Sequence, residues 1–111
     1  MSALQPTALE SALLNEFHTL YAKDGFPGPR EISLLRRDNT GGGRYVELSS
    51  PCSNMAQDGY LDLGGKYIDI GGVPNGMMAV VLISKGQPKV LEITVYGGDN
   101  WDGNEREWAL K

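Results

Sequence analysis

At 111 residues, 41% apolar and 22% charged, the chain has the length of one domain, 1–111, and the composition of a folded chain rather than a disordered one. A single cysteine, Cys52, rules out an intrachain disulfide and points to a reducing cytoplasm, and the longest apolar run, "MMAVVLI" from Met77 to Ile83, is too short for a membrane-spanning helix. The formal net charge of −4 repels phosphate backbones, so direct nucleic-acid binding is not expected and a basic protein is the more natural charged partner.

The start, "MSALQPTALESALL", has no basic region and carries polar residues through its apolar part, so it is not expected to be a signal peptide. Within "TALESALLNEFHTLYAKDG", Leu9, Leu13, Phe17 and Leu20 recur at helical spacing, with Leu14 and Tyr21 widening the stripe. This predicts one amphipathic helix. Thr7 and Glu10 have the spacing of a capping box, and Gly25, Pro27 and Pro29 mark its end.

From Glu31 the helical period is gone, and 15 glycines imply many turns in a β-rich body. "EISLLRR" and "RYVELSS" flank "DNTGGG" and predict a hairpin over residues 31–49. "PCSNMAQDG" reads as a surface loop. Then comes a short repeat, "YLDLGG" (Tyr60 to Gly65) and "YIDIGG" (Tyr67 to Gly72). A two-residue turn at Gly65 and Lys66 would pair the copies as a hairpin, with Leu63 facing Ile68 and Leu61 facing Ile70. The same register sets Asp62 against Asp69, a like-charge pair that costs stability unless something positive lies over it. "MMAVVLIS" is apolar on both faces, as for a central strand with the helix over one side. "KVLEITVY" alternates, with Leu91, Ile93 and Val95 on one face. The expected fold is α+β: one N-terminal amphipathic helix packed on an antiparallel meander of five or six strands.

The chain is poor in catalytic groups. His18 sits on the helix flank and Cys52 in a loop, and there is no nucleophile elbow, zincin motif or paired-cysteine zinc spacing. "NTGGGRY" lacks the ending of a phosphate loop and leads into no helix, so it reads as a flexible hairpin tip with Arg36, Arg37 and Arg44 exposed nearby. "GGDNWDGNE" fails the calcium-loop pattern, because Trp101 and Gly103 fall where oxygen ligands are required. Paired carboxylates for acid–base work exist in Asp62 with Asp69 and Asp99 with Asp102, but aspartates beside glycines are usually turn formers. No enzymatic activity, cofactor or metal is therefore expected. The acidic, glycine-punctuated tail instead holds both tryptophans, Trp101 and Trp108, among Asp99, Asp102, Glu105 and Glu107. Large aromatics ringed by acids are typical anchors of an interface with a basic partner, and the alternative is that the rings fold back to cap the core. With Asp62 and Asp69 on the outer sheet face, these residues form the expected partner-binding set.

A small acidic α+β chain whose meander ends "KVLEITVYGGDNWDG" resembles immunity proteins of bacterial polymorphic-toxin and contact-dependent growth inhibition systems. The resemblance lies in Ile68 to Gly103 and in size and charge, and no residue role transfers by position. It implies a non-catalytic cytoplasmic protein that binds and neutralises a cognate toxin domain, often a basic nuclease. The rival expectations are a small ligand-binding or calcium-binding domain and a regulatory subunit of a larger assembly.

Overall fold

Helix α1 spans Ala8–Tyr21 in the computed structural model, which describes residues 4–111. Thr7 starts it in an extended conformation. Its hydroxyl accepts from the Glu10 N–H at 3.1 Å while its own N–H donates to Glu10 Oε1 at 2.9 Å, so the capping box is in place. Thr7→Ala removes one of the two bonds and is expected to cost about 1 kcal/mol, read as a lower urea midpoint with an unchanged m-value. Leu9, Leu13, Leu14 and Phe17 are buried. Leu20, expected on the same stripe, is 39% exposed with its side chain over the Gly64 turn, while Tyr21, also on the stripe, packs against the core. A 3-10 turn, Ala22–Asp24, ends the helix at Gly25, whose φ of 91° is left-handed and whose N–H bonds the Ala22 carbonyl.

The strands are β1 (Ser33–Asn39), β2 (Gly43–Ser49), β3 (Gly59–Asp62), β4 (Ile68–Ile70), β5 (Val73–Ser84), β6 (Gln87–Val95) and β7 (Ala109–Leu110). They form one antiparallel sheet in the order β1-β2-β6-β5-β4-β7, with β3 also on β5. The architecture is the expected α+β one. The seven strands among the described residues exceed the expected five or six because the tail returns as β7, where Tyr67 and Lys111 exchange N–H···O bonds at 2.9 Å.

The repeat does not form the expected hairpin. Its two copies lie along the same edge of β5, Gly59–Asp62 against Val80–Ile83 and Ile68–Ile70 against Val73–Met77. The turn after β3 closes one residue earlier than expected, with the Lys66 N–H on the Leu63 carbonyl and Gly64 and Gly65 at φ of 66° and 92°. That carries the chain onward along β5 rather than back over β3. Asp62 and Asp69 are therefore not opposed, and no like-charge cross-strand pair arises.

Alternation divides the sheet into two faces. Val46, Leu91 and Val81 align across β2, β6 and β5, as do Arg44, Ile93 and Ala79. These residues are buried, and the apolar ones form a single core with the helix stripe, Phe26, Ile68 and Met77. The loop "PCSNMAQDG" is on the surface except for Met55, which is buried and bonds Gly86 through its N–H. Among the described residues no helix is long and apolar enough to cross a membrane.

Candidate functional site

Two places in the fold concentrate charge, one inside and one outside. The inner one was not legible as a site. Glu10 faces the core side of α1 and is fully buried. Arg37 donates to both of its oxygens, Nε to Oε2 at 2.7 Å and Nη2 to Oε1 at 2.6 Å, and Arg44 Nη1 reaches Oε2 at 3.1 Å. Arg44 Nη1 also pairs with Glu105 Oε2 at 2.7 Å, and Glu105 Oε1 accepts the Leu9 N–H at the start of the helix. The Arg44 guanidinium lies 4.6 Å from the centroid of the Trp101 ring and also donates to the Asn39 side chain and the Gly103 carbonyl. Two acids and two bases balance, and each has hydrogen-bond partners, which makes such burial tolerable. Burial by itself would raise the Glu10 carboxyl. The Arg37 hydrogen bonds, the Thr7 N–H and the charges of Arg37 and Arg44 outweigh it and hold the carboxyl below the usual carboxylate range.

This network corrects the picture of arginines at a flexible tip. Arg36 is exposed and pairs with Asp38, but Arg44 is 3% exposed and Arg37 mostly covered. Alternation puts Arg44 in phase with the inward-facing Val46 and Leu48, and Glu10 is in helical phase with Leu13, Leu14 and Phe17; both signals are in the sequence. Arg37 joins them because an irregularity between Leu34 and Arg36 shifts the register of β1, and nothing in "EISLLRR" marks it.

The network also places the tail. Of the two positions open to Trp101, the ring takes the core-capping one: it is 3% exposed, under Arg44, with its indole N–H on the Asn104 carbonyl. Trp108 is half-buried and packs against the core. Glu105 is engaged as above. Asp102 is exposed and pairs with Arg106; its carboxyl is held below the usual range first by the Asn104 N–H and then by the Arg106 hydrogen bond. Asp99 accepts from the backbone and side-chain nitrogens of Asn75, and Glu107 is exposed. The tail set is thus divided, with Trp101 and Glu105 inward and Asp99, Asp102 and Glu107 outward.

The outer place is the sheet face opposite α1. Across β1, β2, β6, β5 and β3, Asp38, Tyr45, Glu92, Val80 and Asp62 form one row; Arg36, Glu47, Val90, Leu82 and Tyr60 form the next; Thr94 and Met78 continue the face. Tyr45 and Tyr60 are exposed by 46% and 63%, so nothing among the described residues covers the face. Glu47, Glu92 and Asp62 make no ion pair among the described residues. Asp62 accepts the Tyr21 hydroxyl and the Gly64 N–H instead. Asp69 pairs with Lys111 at 3.0 Å, both side chains about half exposed.

His18 Nδ1 is 2.9 Å from the Phe26 carbonyl and so donates to it, and Cys52 is exposed. Among the described residues no three histidine, cysteine or acidic side chains are grouped so as to hold a metal ion. Compared with protein-family models, curated proteins and solved structures, the chain matches none.

Proposed function

We propose that this protein is a non-catalytic immunity protein that binds a basic toxin domain in the cytoplasm and neutralises it, with the open sheet face as its contact surface. The observation that carries the reading is that face: tyrosines and aliphatic side chains across it, with Glu47, Glu92 and Asp62 among them and in no ion pair among the described residues. An uncovered sheet face of this apolar content is a binding surface in the making, aromatic residues supply contact area at low entropic cost, and unpaired acids steer a basic partner. The toxin class itself comes from the resemblance of Ile68 to Gly103 to immunity proteins.

The site differs from the one expected from the tail. Trp101 and Glu105 hold the fold together, and the contact moves to Tyr45, Tyr60, Glu47 and Glu92, with Asp62 and Asp69 retained and Asp99 beside them.

The test is to recover the basic protein that co-purifies with this chain, assay its nuclease activity with and without the chain, and titrate the pair by calorimetry. The double variant Glu47→Gln, Glu92→Gln is expected to weaken the complex roughly tenfold. It should also flatten the dependence of affinity on salt and leave folding stability within about 0.5 kcal/mol. Unchanged affinity and salt dependence would move the interface off this face.

A further inference from the structure

The outer face has a hollow of about 580 Å3, and its position follows from the broken repeat. β3 lies along β5 from Val80 to Ile83 and β4 from Val73 to Met77. Between them, residues 78 and 79 of β5 have no strand on that side, and the chain detours through the Gly64–Gly65 turn. Gly76 sits beside the gap with φ of 73°; a Cβ there would lie 3.0 Å from the Tyr67 ring and 2.7 Å from the Ile68 carbonyl. The Tyr96 N–H bonds the Gly76 carbonyl at 3.4 Å. Two tyrosines are thus held beside one glycine. Both line the hollow and remain exposed, as does Met78.

The charges around this aromatic hollow select its occupant. Asp62 and Asp69 both line it. Lys66, the one basic side chain lining it among the described residues, is drawn to Glu16 at 2.8 Å. Lys111 neutralises Asp69 only through a solvent-exposed contact, which is worth little, and Asp99 is tied to the rim through Asn75. We infer that the hollow is the anchoring pocket for one arginine side chain of the basic partner. A guanidinium stacks on tyrosine faces and forks onto a carboxylate in one geometry, which a lysine ammonium does not do. This rests on the reading of the outer face as the interface.

The probe is N-acetyl-arginine amide, titrated into the isotopically labelled full chain and followed by amide chemical shifts, with N-acetyl-citrulline amide as the uncharged isostere. Saturable shifts at Tyr67, Gly76, Met78 and Tyr96 are expected with the arginine probe alone. They should weaken roughly tenfold in Asp62→Asn and in Asp69→Asn, whose spectral dispersion reports that they remain folded. No saturable shift, an equal response to citrulline, or indifference to both aspartate variants would overturn the pocket. Those results would leave the outer-face interface standing, since its own test is affinity for the co-purifying basic protein.

Discussion

Replacing Arg44 with methionine should cost about 3–5 kcal/mol of folding stability, a large share of the roughly 5–15 kcal/mol typical of such a domain. The side chain is 3% exposed and pairs with two carboxylates, one of them fully buried. Its loss leaves Glu10 to Arg37 alone, strands Glu105 beside the helix start, and removes the cation over Trp101. Methionine fills comparable space but supplies no donor, so most of the cost is uncompensated charge. Arg36→Met is the control: that guanidinium is 65% exposed on Asp38, and its removal should cost less than about 1 kcal/mol. Urea unfolding at neutral pH measures both. Similar midpoints for the two variants would mean that Glu10 finds water or another partner, and the network would not be what holds the tail.

The same network fixes a pH dependence. The folded Glu10 carboxyl titrates below its unfolded value of about 4.3, because Arg37, Thr7 and Arg44 together outweigh desolvation. Its contribution is therefore complete above that value and is lost as pH falls through the lower folded one. In Glu10→Gln the contribution is missing at every pH. The stability difference between the two chains should be greatest at neutral pH and shrink progressively below about pH 4. A difference that stayed constant down to pH 3 would assign the effect to shape rather than to charge.

What the sequence made legible was local. The helix is announced by the stripe from Leu9 to Phe17 and by the Thr7–Glu10 box, and the hairpin of β1 and β2 by alternation around glycines. β5 and β6 are legible for the same reason, each carrying its own pattern between turn residues. What remained hidden depends on partners distant in the chain. "YLDLGG" and "YIDIGG" satisfy a hairpin and a shared edge of β5 equally well in hydrophobic pattern, and only the turn at Gly64–Gly65 decides between them. The tail has no period, so nothing in "GGDNWDGNE" shows that Trp101 turns inward while Asp99 and Asp102 turn out. The outer face was half legible: alternation places Glu92 and Thr94 opposite Leu91 and Ile93. It took the cross-strand register to bring Tyr45, Tyr60, Glu47 and Asp62 beside them.

Gly42→Ala and Gly43→Ala should behave as opposites, although they alter neighbours in one glycine triplet. A Cβ at Gly42 meets nothing within 4 Å and the residue has no left-handed φ, so the change should be within about 0.5 kcal/mol of neutral. A Cβ at Gly43 would sit 1.9 Å from the Ile93 carbonyl oxygen and 2.9 Å from its carbon. Backbone cannot swing aside as a flexible side chain does, so β2 and β6 must separate at the Gly43–Thr94 pair, at a cost of about 3 kcal/mol. The damage should spread to the tail, because the triplet is where the tail is fastened: the Gly41 carbonyl accepts the Trp101 N–H at 2.8 Å and the Gly42 carbonyl accepts the Val95 N–H at 3.0 Å. Arg44, next in sequence, carries the charge network. Hydrogen exchange at Val95 and Trp101 should therefore quicken in Gly43→Ala and stay slow in Gly42→Ala. Equal exchange and equal stability in the two variants would mean that β6 yields at Ile93, and "NTGGGRY" would then be the loose hairpin tip that its composition implies.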